Sequence, residues 1–185
     1  MTPADLNTQT LKGLLAEVKQ QPSYSTYLKA SRIIEQLSVS EDGTASLRRI
    51  RVAVLSSSTI DPLVAALQVD GYALGLLPSF HIAAYGRMFE EALDPSSRLY
   101  AFQPQAVLVI LDWEGLAPRG EGILAQQQAE VALERVHQLL AALKQHTSSL
   151  IVLSNFIAHD LFPFALVPDP LAVAYQQLNT ARRAA

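Results

Sequence analysis

A short apolar run that gives way to four hydroxyl residues, and then at once to a helical pattern, constrains this chain more than any other stretch. Residues 50–55 read Ile-Arg-Val-Ala-Val-Leu and are followed by Ser56, Ser57, Ser58 and Thr59, then Ile-Asp-Pro. A buried parallel strand reads as a short, near-continuous apolar run. Ser, Thr and Asp ahead of an apolar periodic segment read as a helix start, and Leu63, Ala66 and Leu67 supply that segment. Strand, polar turn and helix follow one another within about twenty residues. In an open α/β sheet, ligands sit at such turns, beyond the carboxyl ends of the strands.

Three further strands alternate with helices. The pattern predicts strands at residues 72–77 (closed by Pro78), 106–111 and 149–154. The first strand's helix is expected to end near Asp70-Gly71, with Gly71 in the left-handed position after the last turn. A second helix is expected over 82–93, carrying Tyr85, Met88, Phe89 and Leu93. A turn at Asp94-Pro95-Ser96 and a helical turn over 97–102 follow. A long helix over 123–145 would bury Ala129, Ala132, Val136, Leu139, Leu140 and Leu143, and a last helix begins near Leu171. Ahead of this body, residues 5–21 and 25–37 form a helical hairpin broken at Pro22-Ser23, with a polar loop over 38–46. The hairpin serves either to pack against the body or to dock a partner.

Strands alternating with helices of this length imply right-handed crossovers and a parallel sheet. The expected fold is therefore α/β: a three-layer, flavodoxin-like or SGNH-like sandwich preceded by an N-terminal helical hairpin. The expected domains are 1–46, hairpin and linker, and 47–185, the α/β body. Sheets of this kind usually have a fifth strand, and the sequence stops within a helical pattern. Either the body is cut before its last strand, or four strands complete it.

Composition narrows the function. Half of the 185 residues are hydrophobic and 17% are charged, so one well-cored domain fits better than disorder. The net charge of −3, without a basic run, argues against nucleic acid as a partner. Having no cysteine, the chain can form no disulfide, thiolate zinc site or thiol nucleophile. The start Met-Thr-Pro-Ala-Asp lacks a signal-peptide layout, and no apolar run is long enough to span a membrane. A cytoplasmic setting is expected.

The strand ends should gather Ser56, Ser57, Ser58 and Thr59 with Asp112, Trp113 and Glu114 after the third strand, and Asn155, His159 and Asp160 after the fourth. Hydroxyl, imidazole and carboxylates are the residue types of a serine hydrolase, with Ser58 as nucleophile and His159 as base. Free amides at the helix start could receive an anion or oxyanion. Structural uses compete. Ser58 and Asp61 fit a capping box; alternatively Asp61 caps and Pro62 opens the helix. His81, His137 and His146 are isolated, no metal-ligand set is evident, and Gly115, Gly120 and Gly122 do not form a dinucleotide fingerprint.

Two segments carry a family resemblance: residues 51–63, and residues 85–109 with their Asp-Pro-Ser-Ser-x-Leu-Tyr-Ala-Phe-x-Pro core. With the helix around 28–34, they resemble the N-terminal region of FkbH-like proteins. That family pairs an SGNH-hydrolase-like domain with a haloacid-dehalogenase-type phosphatase domain. The resemblance implies transfer of a glyceryl unit from 1,3-bisphosphoglycerate to an acyl carrier protein in polyketide biosynthesis. It also implies magnesium in a phosphatase domain marked by Asp-x-Asp-x-Thr, a motif this sequence lacks.

Residue by residue, the SGNH likeness is incomplete. Its Gly-Asp-Ser block falls on 56–58, where only Ser58 matches. Its Gly-x-Asn-Asp block falls near 111–113 without the asparagine, and His159 follows the fourth strand, not the last. The resemblance then implies a binding or scaffold domain, with Ser56, Ser57, Thr59, Asp112 and Asn155 as ligand contacts and no cofactor of its own. Its partners would be an acyl carrier protein, met by Arg32, Arg48, Arg49 and Arg51, and the phosphatase domain of the same chain. The alternative is an SGNH-type esterase or acyltransferase using Ser58.

Overall fold

The computed structural model describes residues 3–40, 46–112, 116 and 125–154. Helices α1 (Pro3–Gln20) and α2 (Tyr24–Ser40) precede β1 (Arg48–Ser56), α3 (Asp61–Ala73), β2 (Leu76–Ile82), α4 (Met88–Leu93) and α5 (Arg98–Ala101). Then come β3 (Ala106–Ile110), α6 (Ala125–His146) and β4 (Leu150–Leu153). The fold is α/β, a four-stranded parallel sheet flanked by helices, with the hairpin in front. Strand order is β2-β1-β3-β4. Ala106 pairs with Leu150 and Leu108 with Val152.

Val52, Ala53, Val54, Leu55 and Ser56 are buried one after another, the signature of an interior strand covered on both faces. Complete burial of side chains such as Val54 and Leu55 contributes about 1.5–3 kcal/mol each. The chain divides into two compact units, Met1–Val52 with Thr59–His81, and Ala53–Ser58 with Ile82–Ala185. β1 contributes to both.

In the first unit the hairpin is part of the core. Leu11 and Val18 of α1 and Ala30, Ile34 and Leu37 of α2 are buried with Val69 and Leu77. Ser23 begins α2 by accepting a hydrogen bond from the Thr26 amide at 3.2 Å, the N-cap pattern. The Thr26 hydroxyl donates to Glu17 at 2.9 Å, tying the helices together. The Ser31 hydroxyl donates to Gln68 Oε1 of α3 at 2.6 Å, pairing two buried polar side chains across the hairpin and α3. The packing role expected of the hairpin is thus occupied.

Two expectations around β2 fail together. Gly71 does not end α3; the helix continues to Ala73, and Gly75, at φ +81°, takes the left-handed position. β2 is not residues 72–77, and Pro78 lies inside it. The cause is steric. A Cβ on Gly71 would sit 2.8 Å from Pro78 Cγ, so the glycine serves close approach of helix and strand. The proline is tolerated because β2 is an edge strand.

The second unit packs α4, α5 and α6 on one face of β3, burying Met88, Ala92, Leu99, Val107, Val109, Ala132, Val136, Leu139 and Leu143. Leu140 is only partly buried against this core, and the Ala129 side chain lies outside the description. The helix expected over 82–93 is shorter than its pattern suggested. The Ala83 amide still bonds Val54 O at 3.0 Å, prolonging the strand pairing, and Gly86 at φ +75° breaks the chain direction before Met88. Trp113, Glu114, the glycine loop up to Gly122, and everything expected after Ser154 lie outside the described residues.

Gly→Ala inside a helix normally stabilises by about 0.5–1 kcal/mol. Here Gly71→Ala is expected to destabilise by about 1–3 kcal/mol through overpacking. Gly71→Ala combined with Pro78→Ala should recover most of that loss in urea denaturation, a non-additivity diagnostic of direct contact.

Candidate functional site

β1 ends by feeding three serines into the turn, and they do different things. Ser56 is buried; its hydroxyl donates to Ser58 O at 2.9 Å and accepts from the Ser58 amide at 3.1 Å, closing the turn on itself. The Ser57 amide donates to Ile110 O at 3.1 Å, and its hydroxyl accepts from the Asp112 amide at 2.8 Å. Ser58 and Thr59 are exposed, and no described residue takes a hydrogen bond to the Ser58 hydroxyl.

The capping expected of this turn does not occur. The residue ahead of α3 is Ile60, with no side-chain cap. Asp61 already belongs to the helix, and Pro62 follows within its first turn, removing an amide donor. Neither the Ser58–Asp61 box nor an Asp61 cap is made. With one donor lost to proline and a carboxylate at its start, this helix end offers less to an anion than the sequence suggested.

A serine overlooked in the sequence completes the arrangement. Ser154, one residue beyond β4, accepts a hydrogen bond from the Leu111 amide at 3.2 Å, while its own amide donates to Val109 O at 2.9 Å. The two amides that follow β3, Leu111 and Asp112, are thus taken by hydroxyls from the strands on either side. They fix the start of the loop that carries Asp112. The signal was present: a serine stands one or two residues past each of the strands flanking β3.

Asp112 is the one expected carboxylate that the described residues bring against the serine turn, through its backbone. Asn155, His159 and Asp160 lie outside the described residues, so the expected Ser58–His159 pairing has no geometry to report. His146 stacks edge-on against Tyr100 at 5.4 Å, within the α5–α6 packing. Among the described residues no three His, Asp or Glu side chains are grouped as a metal ion requires. Together with the missing Asp-x-Asp-x-Thr, these residues do not fit the magnesium centre of the phosphatase type.

An open cleft of about 400 Å³ lies in the same unit, lined by Arg87, Glu90, Asp94, Ser96 and Arg98 among others. Its lining comes from Ala84 to Glu91 and from Asp94 to Arg98, and the latter stretch opens the Asp94–Pro104 segment. The Asp94 carboxylate accepts from the Ser96 amide at 2.9 Å and the Ser96 hydroxyl at 2.7 Å. The Ser97 hydroxyl donates to Glu91 O at 2.7 Å, and the Tyr100 hydroxyl to Ala92 O. Leu99 is fully buried, Gln103 takes φ +51°, and Pro104 O accepts from the Ser149 hydroxyl at 2.6 Å. The Arg87 guanidinium grips Glu90 through two bonds of 2.8 and 2.6 Å. The hydrogen bond and charge of Arg87 hold Glu90 below the usual carboxylate range. Both groups are exposed, and such pairs contribute little once screened by solvent.

A solved structure shares this fold. It is the crystal structure of the N-terminal part of the protein BF1531 from Bacteroides fragilis, containing a phosphatase domain and complexed with Mg. The two superpose with a TM-score of 0.64 at 17% sequence identity, over 82% of this chain and 41% of that one. The match therefore takes in less than half of its structural neighbour. No protein-family model matches the sequence, and no curated protein does. Among the described residues no helix is long and apolar enough to cross a membrane.

Two outcomes follow. Ser57→Ala should cost about 1 kcal/mol in chemical denaturation, by leaving the Asp112 amide without its acceptor. Ser58→Ala should stay within about 0.5 kcal/mol of the parent. Separately, its hydrogen bonds from Ser96 hold Asp94 below the usual aspartate value. A depressed carboxylate contributes stability above its unfolded pKa and loses it as pH falls through the folded one. NMR titration should find Asp94 titrating below ordinary aspartates, returning toward them in Ser96→Ala.

Proposed function

We propose that this chain is the N-terminal domain of an FkbH-like protein, acting in transfer of a glyceryl unit from 1,3-bisphosphoglycerate to an acyl carrier protein. In this reading the domain binds and positions rather than catalyses, and works in the cytoplasm. The observation that carries it is the fold shared with the N-terminal part of a protein containing a phosphatase domain. The sequence resemblance over residues 51–63 and 85–109 adds the family. Removal of phosphate, with its magnesium, would belong to a haloacid-dehalogenase-type domain of the same polypeptide.

The serine turn supports a binding role. Two of its three serine hydroxyls are committed to backbone partners, and among the described residues none stands as a base to the Ser58 hydroxyl. The exposed Ser58 and Thr59 are proposed as contacts for a small polar ligand, with Asp112 and Asn155 beside them. An acidic carrier protein would be met by Arg32, Arg48 and Arg49, which are exposed, with Arg51 next in line on the same strand.

One observation favours the second reading, an SGNH-type esterase or acyltransferase. The Ser58 hydroxyl is exposed and takes no hydrogen bond from a described residue, as a nucleophile's would not. A serine-reactive fluorophosphonate separates the two. The binding-domain reading expects no stoichiometric labelling. Labelling that disappears in Ser58→Ala would establish the esterase reading in its place.

Carrier binding has its own test. Titration with the cognate acyl carrier protein should give saturable binding, weakened at least tenfold by Arg48→Glu with Arg49→Glu and by raised salt. Equal affinity for parent and variant would remove these arginines from the interface. No binding to the intact protein would remove the carrier altogether.

A further inference from the structure

The cleft beside α4 has no part in the serine turn, and its charged groups are unevenly paired. Arg87, Arg98, Glu90, Glu91 and Asp94 all line it. The two arginines differ. Arg87 donates a hydrogen bond to each oxygen of Glu90, so the two charges answer each other. Arg98 is exposed, and no described residue accepts a hydrogen bond from its guanidinium. The carboxylates differ in the same way. Both bonds that Asp94 receives from Ser96 fall on Oδ1, and Oδ2 takes none from a described residue. Asp94 and Arg98 stand in one cleft without pairing with each other. Each is held from below: Asp94 by its two bonds from Ser96, and Arg98 by α5, whose Leu99 is fully buried.

One unpaired guanidinium and one unpaired carboxylate oxygen select a class of ligand. A metal ion would need three acidic or imidazole groups brought together, and no described residues are so grouped. An anion alone would meet Arg98, but against the like charge of Glu90, Glu91 and Asp94. An amine alone would meet Asp94 and leave Arg98 without a partner. A molecule with both charges answers both groups, and each of the bonds it makes is charge-assisted. The cleft's volume of about 400 Å³ falls within the range of small-molecule sites.

We propose that this cleft binds a small zwitterion of the amino-acid type, its carboxylate on Arg98 and its ammonium on Asp94. The inference is independent of the glyceryl and carrier-protein reading, because it uses neither the serine turn nor the arginines at the start of β1.

NMR titration with glycine, β-alanine and γ-aminobutyrate, which space the two charges differently, tests the site. Propionate and propylamine supply each charge alone. At least one zwitterion should give saturable shifts at the amides of the cleft-lining residues, with a Kd in the millimolar range and roughly tenfold tighter than either half. Two variants keep the fold while removing one charge each. Arg98→Gln alters an exposed side chain, and Asp94→Asn retains the oxygen that Ser96 binds. Each should weaken zwitterion binding by roughly tenfold. No saturable shift with any of the three zwitterions would overturn the proposal, as would equal binding by the parent and either variant. Propionate or propylamine binding as tightly as the zwitterion would make this a site for one charge only and overturn it too.

Discussion

The burial of β1 on both faces is the constraint from which the remaining architecture follows. Five consecutive buried residues, Val52 to Ser56, cannot stand at a sheet edge or face water on one side. Each backbone amide and carbonyl along them needs a partner, so the strand must be flanked, and β2 and β3 lie on its two sides. Both compact units take part of this strand into themselves, Val52 closing one and Ala53 opening the other.

The same strand dictates what its last residues can do. Where β1 runs out, the polar groups that follow must still be satisfied, and hydroxyls take over from ladder amides. Ser56 closes the turn, and Ser57 reaches across to the backbone after β3, as Ser154 does from β4. Such side-chain bonds to backbone offer an alternative to both ladder and helix cap. The position ahead of α3 falls to Ile60, past all three serines, and the helix begins instead on proline geometry. Of the three serines only Ser58 retains an exposed hydroxyl with no bond from a described residue.

Wherever periodicity alone sets an element, the sequence was legible. β3 and α6 are unambiguous runs, and the hairpin is marked by its stripe and by Ser23 at the break. Reading failed where a tertiary contact overrides a local rule. Gly71 looked like a helix stop because glycine usually is one, yet here it makes room for Pro78. Pro78 looked like a strand stop because prolines rarely sit inside strands, and only the edge position of β2 permits it. No window of sequence contains the fact that residues 71 and 78 touch. The site was legible to the same degree. That serines gather at the strand ends could be read from their positions. Which amides they would hold depended on strand order, which periodicity does not give, and Ser154 was missed for that reason.

The most specific piece of the family resemblance takes its meaning from the same logic. In Asp-Pro-Ser-Ser-x-Leu-Tyr-Ala-Phe-x-Pro, most of the distinctive residues have structural work. Asp94 folds the turn, Ser97 and Tyr100 return to backbone carbonyls of α4, Leu99 fills the core, and Pro104 O receives Ser149. Each bond joins neighbouring elements of one unit, so the motif fixes how α4 and α5 lead into β3. A motif of this kind argues for a shared scaffold and is silent on chemistry. It can be retained wherever the corner is needed, whether or not the serine turn reacts. The resemblance and the structural neighbour therefore bear on the same question, which is architecture. The chemistry of this chain must be argued from other residues, among them Ser58 at the turn and the exposed Arg48 and Arg49 at the start of β1.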